Sequence, residues 1–265
     1  MKLEKKTCMI SLKTRLIREN NRIYSHVLKW LWCMQGRDAA RVYMFHSVVD
    51  TPEQVYSKFA ITKESFEKFI RYEMERGQKP MDAKMLKHAV DNPDAYKNHF
   101  AVTFDDIYDS VFTQAYPVLK AFNVPFIVFV TPKLIDTIDS WHKHPMITME
   151  HLKEMIADPL CVIGAHGMEH RPFRDYYSSE EAIASMKGSM EWLENIFGKQ
   201  VDFFAFPYGR RIEVSDANIN ELATCDYCCG FSALDGSLKQ KWFSSRWYLP
   251  RILVSEKFVS VWCKV

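Results

Sequence analysis

The sequence predicts an α/β domain whose strands run parallel. Two observations carry this. Strand-like runs alternate along the chain with segments of helical period, and the run over residues 124–130 is apolar throughout, as a strand buried on both faces reads. A chain of 265 residues, 48% of them hydrophobic, is long enough to wrap such a sheet around one core. The alternation alone leaves a doubly wound sheet and a closed barrel both open.

The elements follow in order. Leu12, Leu16, Ile23, Val27, Leu31 and Met34 recur at helical spacing with basic residues between them, so residues 11–35 read as an amphipathic helix within an N-terminal extension, residues 1–38. The main domain then covers residues 39–265. Residues 41–49 read as a strand, and 63–76 as a helix with Phe66, Phe69, Ile70 and Met74 on one face, Thr62 at its start and Gly77 after its end. Residues 99–104 are strand-like, 109–122 helical with an interruption at Pro117, 124–130 a strand, 148–157 a helix and 160–165 a strand. Ser178 and Glu181 have the spacing of a capping box. Ile183, Met186, Met190, Leu193 and Phe197 follow at steps of three and four, and Gly198 ends the pattern. Residues 201–206, 227–232 and 247–254 read as strands and 214–224 as a helix.

Composition excludes several classes. Residues 1–37 hold nine Lys or Arg against two acids, and the remainder holds 26 against 31, so the main domain does not have the charge of a nucleic-acid binder. The longest apolar run has seven residues, where a membrane-spanning helix needs about 20. The basic start lacks the long apolar stretch of a secretory leader, and seven cysteines are an odd number for a disulfide framework. The expectation is a cytoplasmic protein with free thiols. Its basic N-terminal helix either packs on the main domain or makes peripheral contact with an anionic membrane surface.

Three segments each follow a strand-like run, and in a parallel sheet all three therefore lie at carboxyl ends of strands, where sites are built. They are Thr103-Phe104-Asp105-Asp106, His166-Gly167-Met168-Glu169-His170 and Phe206-Pro207-Tyr208-Gly209. Taken singly, an Asp pair serves as a loop cap as readily as a site, and Pro-Tyr-Gly makes a turn. Two histidines four apart can aim both imidazoles at one ion. The same five residues also fit H-x-x-E-H, a zinc-peptidase signature with Glu169 as base, although Gly167 and Pro172 argue against the helix that signature needs.

In this order and spacing the segments resemble the polysaccharide deacetylase family, also called the NodB homology domain or carbohydrate esterase family 4. The resemblance runs over about residues 41–254 and takes in His46 at the end of the first strand and a late Leu249-Pro250-Arg251-Ile252. It implies an irregular (β/α) barrel and hydrolytic, metal-dependent N-deacetylation of an N-acetylated sugar in a polysaccharide or its precursor. It further implies one divalent metal ion, zinc first with cobalt, nickel and iron as alternatives, held by Asp106, His166 and His170. Asp105 resembles the general base. The backbone N–H of Tyr208 resembles the donor to the carbonyl oxygen, with Pro207 and Tyr208 at the substrate.

Departures from the family pattern matter as much. An Arg that often stands two residues before the Pro of the third motif is replaced by Ala205, and Arg251 is the candidate to supply its charge. Gly167 stands where the family usually has Ser or Thr, which removes one loop-bracing hydrogen bond. No histidine follows His170, so the late histidine that protonates the leaving amine in many members is absent, and His46 is the nearest candidate. A non-catalytic saccharide-binding protein on the same fold is the alternative from another class. Cys225 and Cys228 form a lone CxxC and read as buried thiols; His142, His144 and His151 receive no role.

Overall fold

Among the described residues, 39–239 and 245–263 of the computed structural model, ten strands alternate with seven α-helices. The predicted N-terminal helix lies outside them. The run over 41–49 divides into β1 (Arg41–Phe45) and β2 (Ser47–Val49) because the chain changes partners at His46. β1 pairs with the main sheet, whereas β2 pairs with β3 (Ala60–Thr62) in a separate two-stranded ribbon. Helix α1 (Lys63–Glu75) starts where predicted: the Thr62 side chain accepts the Ser65 N–H, and Phe66, Phe69 and Ile70 are buried.

β4 (Lys79–Pro80) and α2 (Ala83–Asp91, capped by Asp82) follow, then β5 (His99–Phe104). The predicted interruption near Pro117 takes the form of a single π-turn, Val111–Ala115, leading into α3 (Tyr116–Ala121). Pro117 has no N–H to give, and the Tyr116 N–H reaches back five residues to the Val111 carbonyl. The rest are β6 (Phe126–Val130), α4 (Met149–Ala157), β7 (Cys161–Ala165), α5 (Ser179–Phe197), β8 (Phe203–Ala205), α6 (Asp216–Leu222), β9 (Cys229–Phe231), β10 (Ile252–Leu253) and α7 (Glu256–Trp262).

The main sheet runs β10-β1-β5-β6-β7-β8-β9, with β4 beside the start of β5, and every pairing is parallel. A parallel bridge between Phe231 and Leu249 joins β9 to the segment that leads into β10. The sheet therefore curls towards closure, which makes the fold an irregular (β/α) barrel and not a doubly wound sheet. Alternation along the strands sorts the core into two clusters. Tyr43, Phe45, Val102, Phe104, Phe126 and Val128 face the surrounding helices. Val42, Ala101, Phe129, Phe203, Ala205 and Phe231 line the interior, where α2 adds Leu86 and Ala89.

Candidate metal centre

The carboxyl ends of the strands converge on one site. Asp105 and Asp106 leave β5, His166 and His170 leave β7, Tyr208 follows β8, His46 sits between β1 and β2, and Arg251 immediately precedes β10. Asp106, His166 and His170 each offer one ligand atom, and these atoms lie within 4.8 Å of one another.

The donor set fits a metal ion. Asp106 Oδ1 is 2.7 Å from His170 Nε2 and 3.3 Å from His166 Nε2, yet neither contact is aligned as a hydrogen bond, and this buried oxygen has no hydrogen-bond partner. Atoms facing a common point show that pattern. Ligands about 2.0–2.1 Å from a tetrahedral ion stand roughly 3.3 Å apart, close to the spacing here. His166 Nδ1 lies 2.7 Å from the Ala205 carbonyl oxygen, which can only accept, so the ring hydrogen is on Nδ1 and the Nε2 lone pair points inward.

Burial alone would raise the Asp106 pKa, but the facing His170 and His166 reverse this and hold the carboxyl well below its ordinary value. Burial would lower His170, and Asp106 reverses that too, leaving it raised. Metal binding at this site therefore competes with protonation of His170.

Asp105 is held differently. Arg251 grips it with two parallel hydrogen bonds, Nη1 to Oδ1 and Nη2 to Oδ2, both 2.6 Å. The guanidinium is fully buried between the Phe129 and Phe231 rings, and its Nε donates to the Ser232 carbonyl at 2.9 Å. Nη1 also reaches Thr103 Oγ1, which donates to the Tyr43 carbonyl. Burial pushes the Asp105 pKa up, and Arg251 more than compensates, leaving it lowered. The charge missing at Ala205 on β8 is thus supplied from the segment that leads into β10.

Backbone conformation aims these groups. Asp106 (φ +62°), Ile107 (+39°), His170 (+48°) and Tyr208 (+60°) all occupy the left-handed region, which is costly for side chains and worst for a β-branched one. Tyr208 is partly exposed, its ring centroid 4.7 Å from that of His170, and its backbone N–H has no partner among the described residues. Pro207 is buried in the turn, its carbonyl accepting the Gly209 N–H. A Cβ on Gly209 would stand 2.6 Å from the Ala233 nitrogen. His46 is buried against Phe59 and its Nδ1 is unpartnered; burial lowers its pKa, against the opposing pull of Asp106 and Asp105.

Gly167 does not leave the histidine loop unbraced. Ser185 Oγ accepts from the Met168 N–H and from the Tyr176 hydroxyl, and Thr131 Oγ1 donates to the His166 carbonyl. Position in the sequence gave no signal for these partners, since they come from other elements. Residues 166–170 are not helical, and the Glu169 carboxylate pairs with Lys133, so the H-x-x-E-H reading loses the geometry it requires. Cys225 packs beside Met186 whereas the Cys228 thiol donates to Asp202, so the CxxC pair forms no shared site. His151 contacts Asp109 at 2.6 Å and stacks on Phe112.

The polysaccharide deacetylase family model matches residues 92–227, a little over half of the chain. The poly-beta-1,6-N-acetyl-D-glucosamine N-deacetylase of Staphylococcus aureus is 24% identical over 205 residues, 75% of this chain and 69% of that protein. IcaB from Ammonifex degensii has a similar fold, with a TM-score of 0.71 at 22% identity over 86% of this chain and 98% of its own. The Streptococcus pyogenes deacetylase PplD, solved in complex with acetate, gives 0.70 at 20% identity over 86% and 99%.

Proposed function

The chain belongs to the polysaccharide deacetylase family, and we propose that it removes N-acetyl groups from a polysaccharide of β-linked N-acetylglucosamine, using a divalent metal ion held by Asp106, His166 and His170. Relatives named as N-deacetylases support a hydrolase over the alternative of a non-catalytic saccharide binder on the same fold. The substrate reading draws on the staphylococcal relative, whose name specifies poly-beta-1,6-N-acetyl-D-glucosamine. The observation that carries the mechanism is the Asp-His-His set lying directly beside a carboxylate clamped by Arg251.

An ion bound there, with zinc the first choice for two imidazoles and a carboxylate, supplies Lewis-acid polarisation and lowers the pKa of water towards about 7. Asp105 takes the proton of the attacking water as its oxygen bonds to the acetamide carbon. Two charge-assisted hydrogen bonds from Arg251 make Asp105 a weaker base but fix its plane, so the remaining lone pairs stay aimed at the site. The free Tyr208 N–H donates to the carbonyl oxygen as charge grows on it. The C–N bond then breaks, and the leaving nitrogen takes a proton from His46, giving acetate and a free amine.

The test begins with metal content. Wild type should hold about one equivalent and Asp106→Asn almost none. Acetate release from poly-β-1,6-N-acetylglucosamine should follow the same pattern. Equal metal in both proteins would remove Asp106 from the ligand set, and a metal-loaded wild type that releases no acetate would remove the substrate.

A further inference from the structure

The segment between β6 and α4 carries a feature that the metal centre does not use. Its tip is a tight turn: the Asp139 carboxylate accepts from the Trp141 and His142 N–H groups, and the Asp139 N–H donates to the His144 carbonyl. The rings of His142 and His144 both pack on that of Tyr56, at 4.3 and 4.4 Å. The turn is clamped onto the loop between β2 and β3.

This clamp adjoins the metal centre. Tyr56 lies 6.4 Å from Tyr108, ring to ring, and the strongest charge acting on the Tyr108 hydroxyl is that of Asp106. Asp139 is among the charges felt by both His170 and Tyr208. At the crown of the clamped turn stands Trp141, 80% exposed. An indole left in water on a well-fixed turn gives up the hydrophobic gain it would have if buried, and invites an explanation.

We infer that Trp141 is the stacking platform of an accessory saccharide subsite, which receives a sugar ring of the polymer beyond the unit undergoing reaction. The C–H face of a pyranose is apolar and flat enough to lie on an indole, while its rim of hydroxyls needs polar neighbours. The turn provides them in Asp139, Ser140, His142 and Lys143. Ile138, 66% exposed at the base of the same turn, is the apolar residue beside them, and binding to anionic vesicles separates a lipid contact from a sugar contact. Because the turn is already ordered by the Tyr56 clamp, stacking costs little further entropy.

The inference rests on the polysaccharide reading, and the test keeps the two separate. Metal-loaded full-length protein is compared with Trp141→Ala and Trp141→Phe, using acetylated glucosamine from monomer to hexamer in calorimetric binding and in acetate release. Trp141→Ala should weaken hexamer binding and raise its KM about ten-fold, which corresponds to about 1.4 kcal/mol, with kcat and monomer kinetics unchanged. Trp141→Phe should recover part of the loss. Equal effects on monomer and hexamer, or none on either, would overturn the subsite. So would a variant that keeps hexamer affinity but no longer binds anionic vesicles, since that result assigns the indole to a membrane. A wild type that binds the hexamer yet releases no acetate refutes the deacetylase reading alone, and the binding comparison still decides Trp141.

Discussion

Replacing Arg251 with Met tests the central pair. Methionine keeps an unbranched apolar chain between Phe129 and Phe231 but removes both hydrogen bonds to Asp105. The Asp105 side chain is 5% exposed and that of Arg251 is fully buried, so solvent does not screen the loss. Orphaning one member of such a pair costs about 3–5 kcal/mol. At about 2–4 °C per kcal/mol for a domain of this size, Arg251→Met should melt roughly 6–20 °C below wild type at pH 7. Asp105→Asn combined with Arg251→Met should melt higher than the single variant, because no charge is stranded.

The pH dependence gives an independent reading. In wild type the Asp105 pKa is lowered on balance, so its contribution to stability is present above the unfolded carboxylate value of about 3.9 and is lost as pH falls through the lower folded value. Without Arg251, burial prevails and the pKa rises. The melting gap between wild type and Arg251→Met should therefore narrow as acid protonates the stranded carboxyl, and the acid limb of kcat/KM should move to higher pH. Metal content should stay the same, since Arg251 touches no ligand. A melting temperature within about 2 °C of wild type, together with an unmoved acid limb, would refute the reasoning.

Further outcomes follow from the same geometry. Gly209→Ala combines a left-handed φ of +61° with a Cβ 2.6 Å from the Ala233 nitrogen, so it should cost about 2–4 kcal/mol in thermal unfolding and depress acetate release by displacing Tyr208. Glu169→Gln breaks only an exposed pair with Lys133 and should leave turnover close to wild type; abolished turnover would restore Glu169 as a base. Ser185→Ala strips the Met168 N–H and the Tyr176 hydroxyl of their acceptor, for a loss of about 1–2 kcal/mol and faster metal loss to a chelator. Chelation should lower the melting temperature of wild type but not of Asp106→Asn, with about 2.7 kcal/mol at stake where free metal exceeds Kd a hundred-fold.

Elements with their own end signals were legible in the sequence. Thr62 and Gly77 bracket α1 as expected, and Ser178 and Gly198 bracket α5. Even there the capping box is half formed: Ser178 Oγ accepts the Glu181 N–H, but the Glu181 carboxylate turns to the Tyr177 N–H. What local pattern did not show was structure imposed by pairing. β4 exists because Lys79 and Met81 donate to the Asn98 and Phe100 carbonyls, and the break at His46 reflects a change of sheet that no residue in 41–49 announces. Helices α2 and α7 went unread although each begins at a capping side chain, Asp82 or Ser255, and although α4 and α6, of the same lengths, were legible.

The site divides along the same line. Side chains in the three motifs could be read in place because a parallel barrel brings strand ends together whatever lies between them. Of their supports only Arg251, ahead of β10, was legible, through the late Leu-Pro-Arg-Ile segment; Ser185 on α5 and Thr131 at the end of β6 were not, because each comes from a different element. Ala205 shows why position is a poor guide to such parts. Its carbonyl accepts from His166, and its side chain lies in the interior cluster with Phe129 and Phe231, the two rings that enclose Arg251. A small residue there leaves the barrel interior open to a guanidinium carried by the segment between β9 and β10. Asp105 requires a buried cation at a fixed angle, and the fold meets that requirement from whichever strand can reach it.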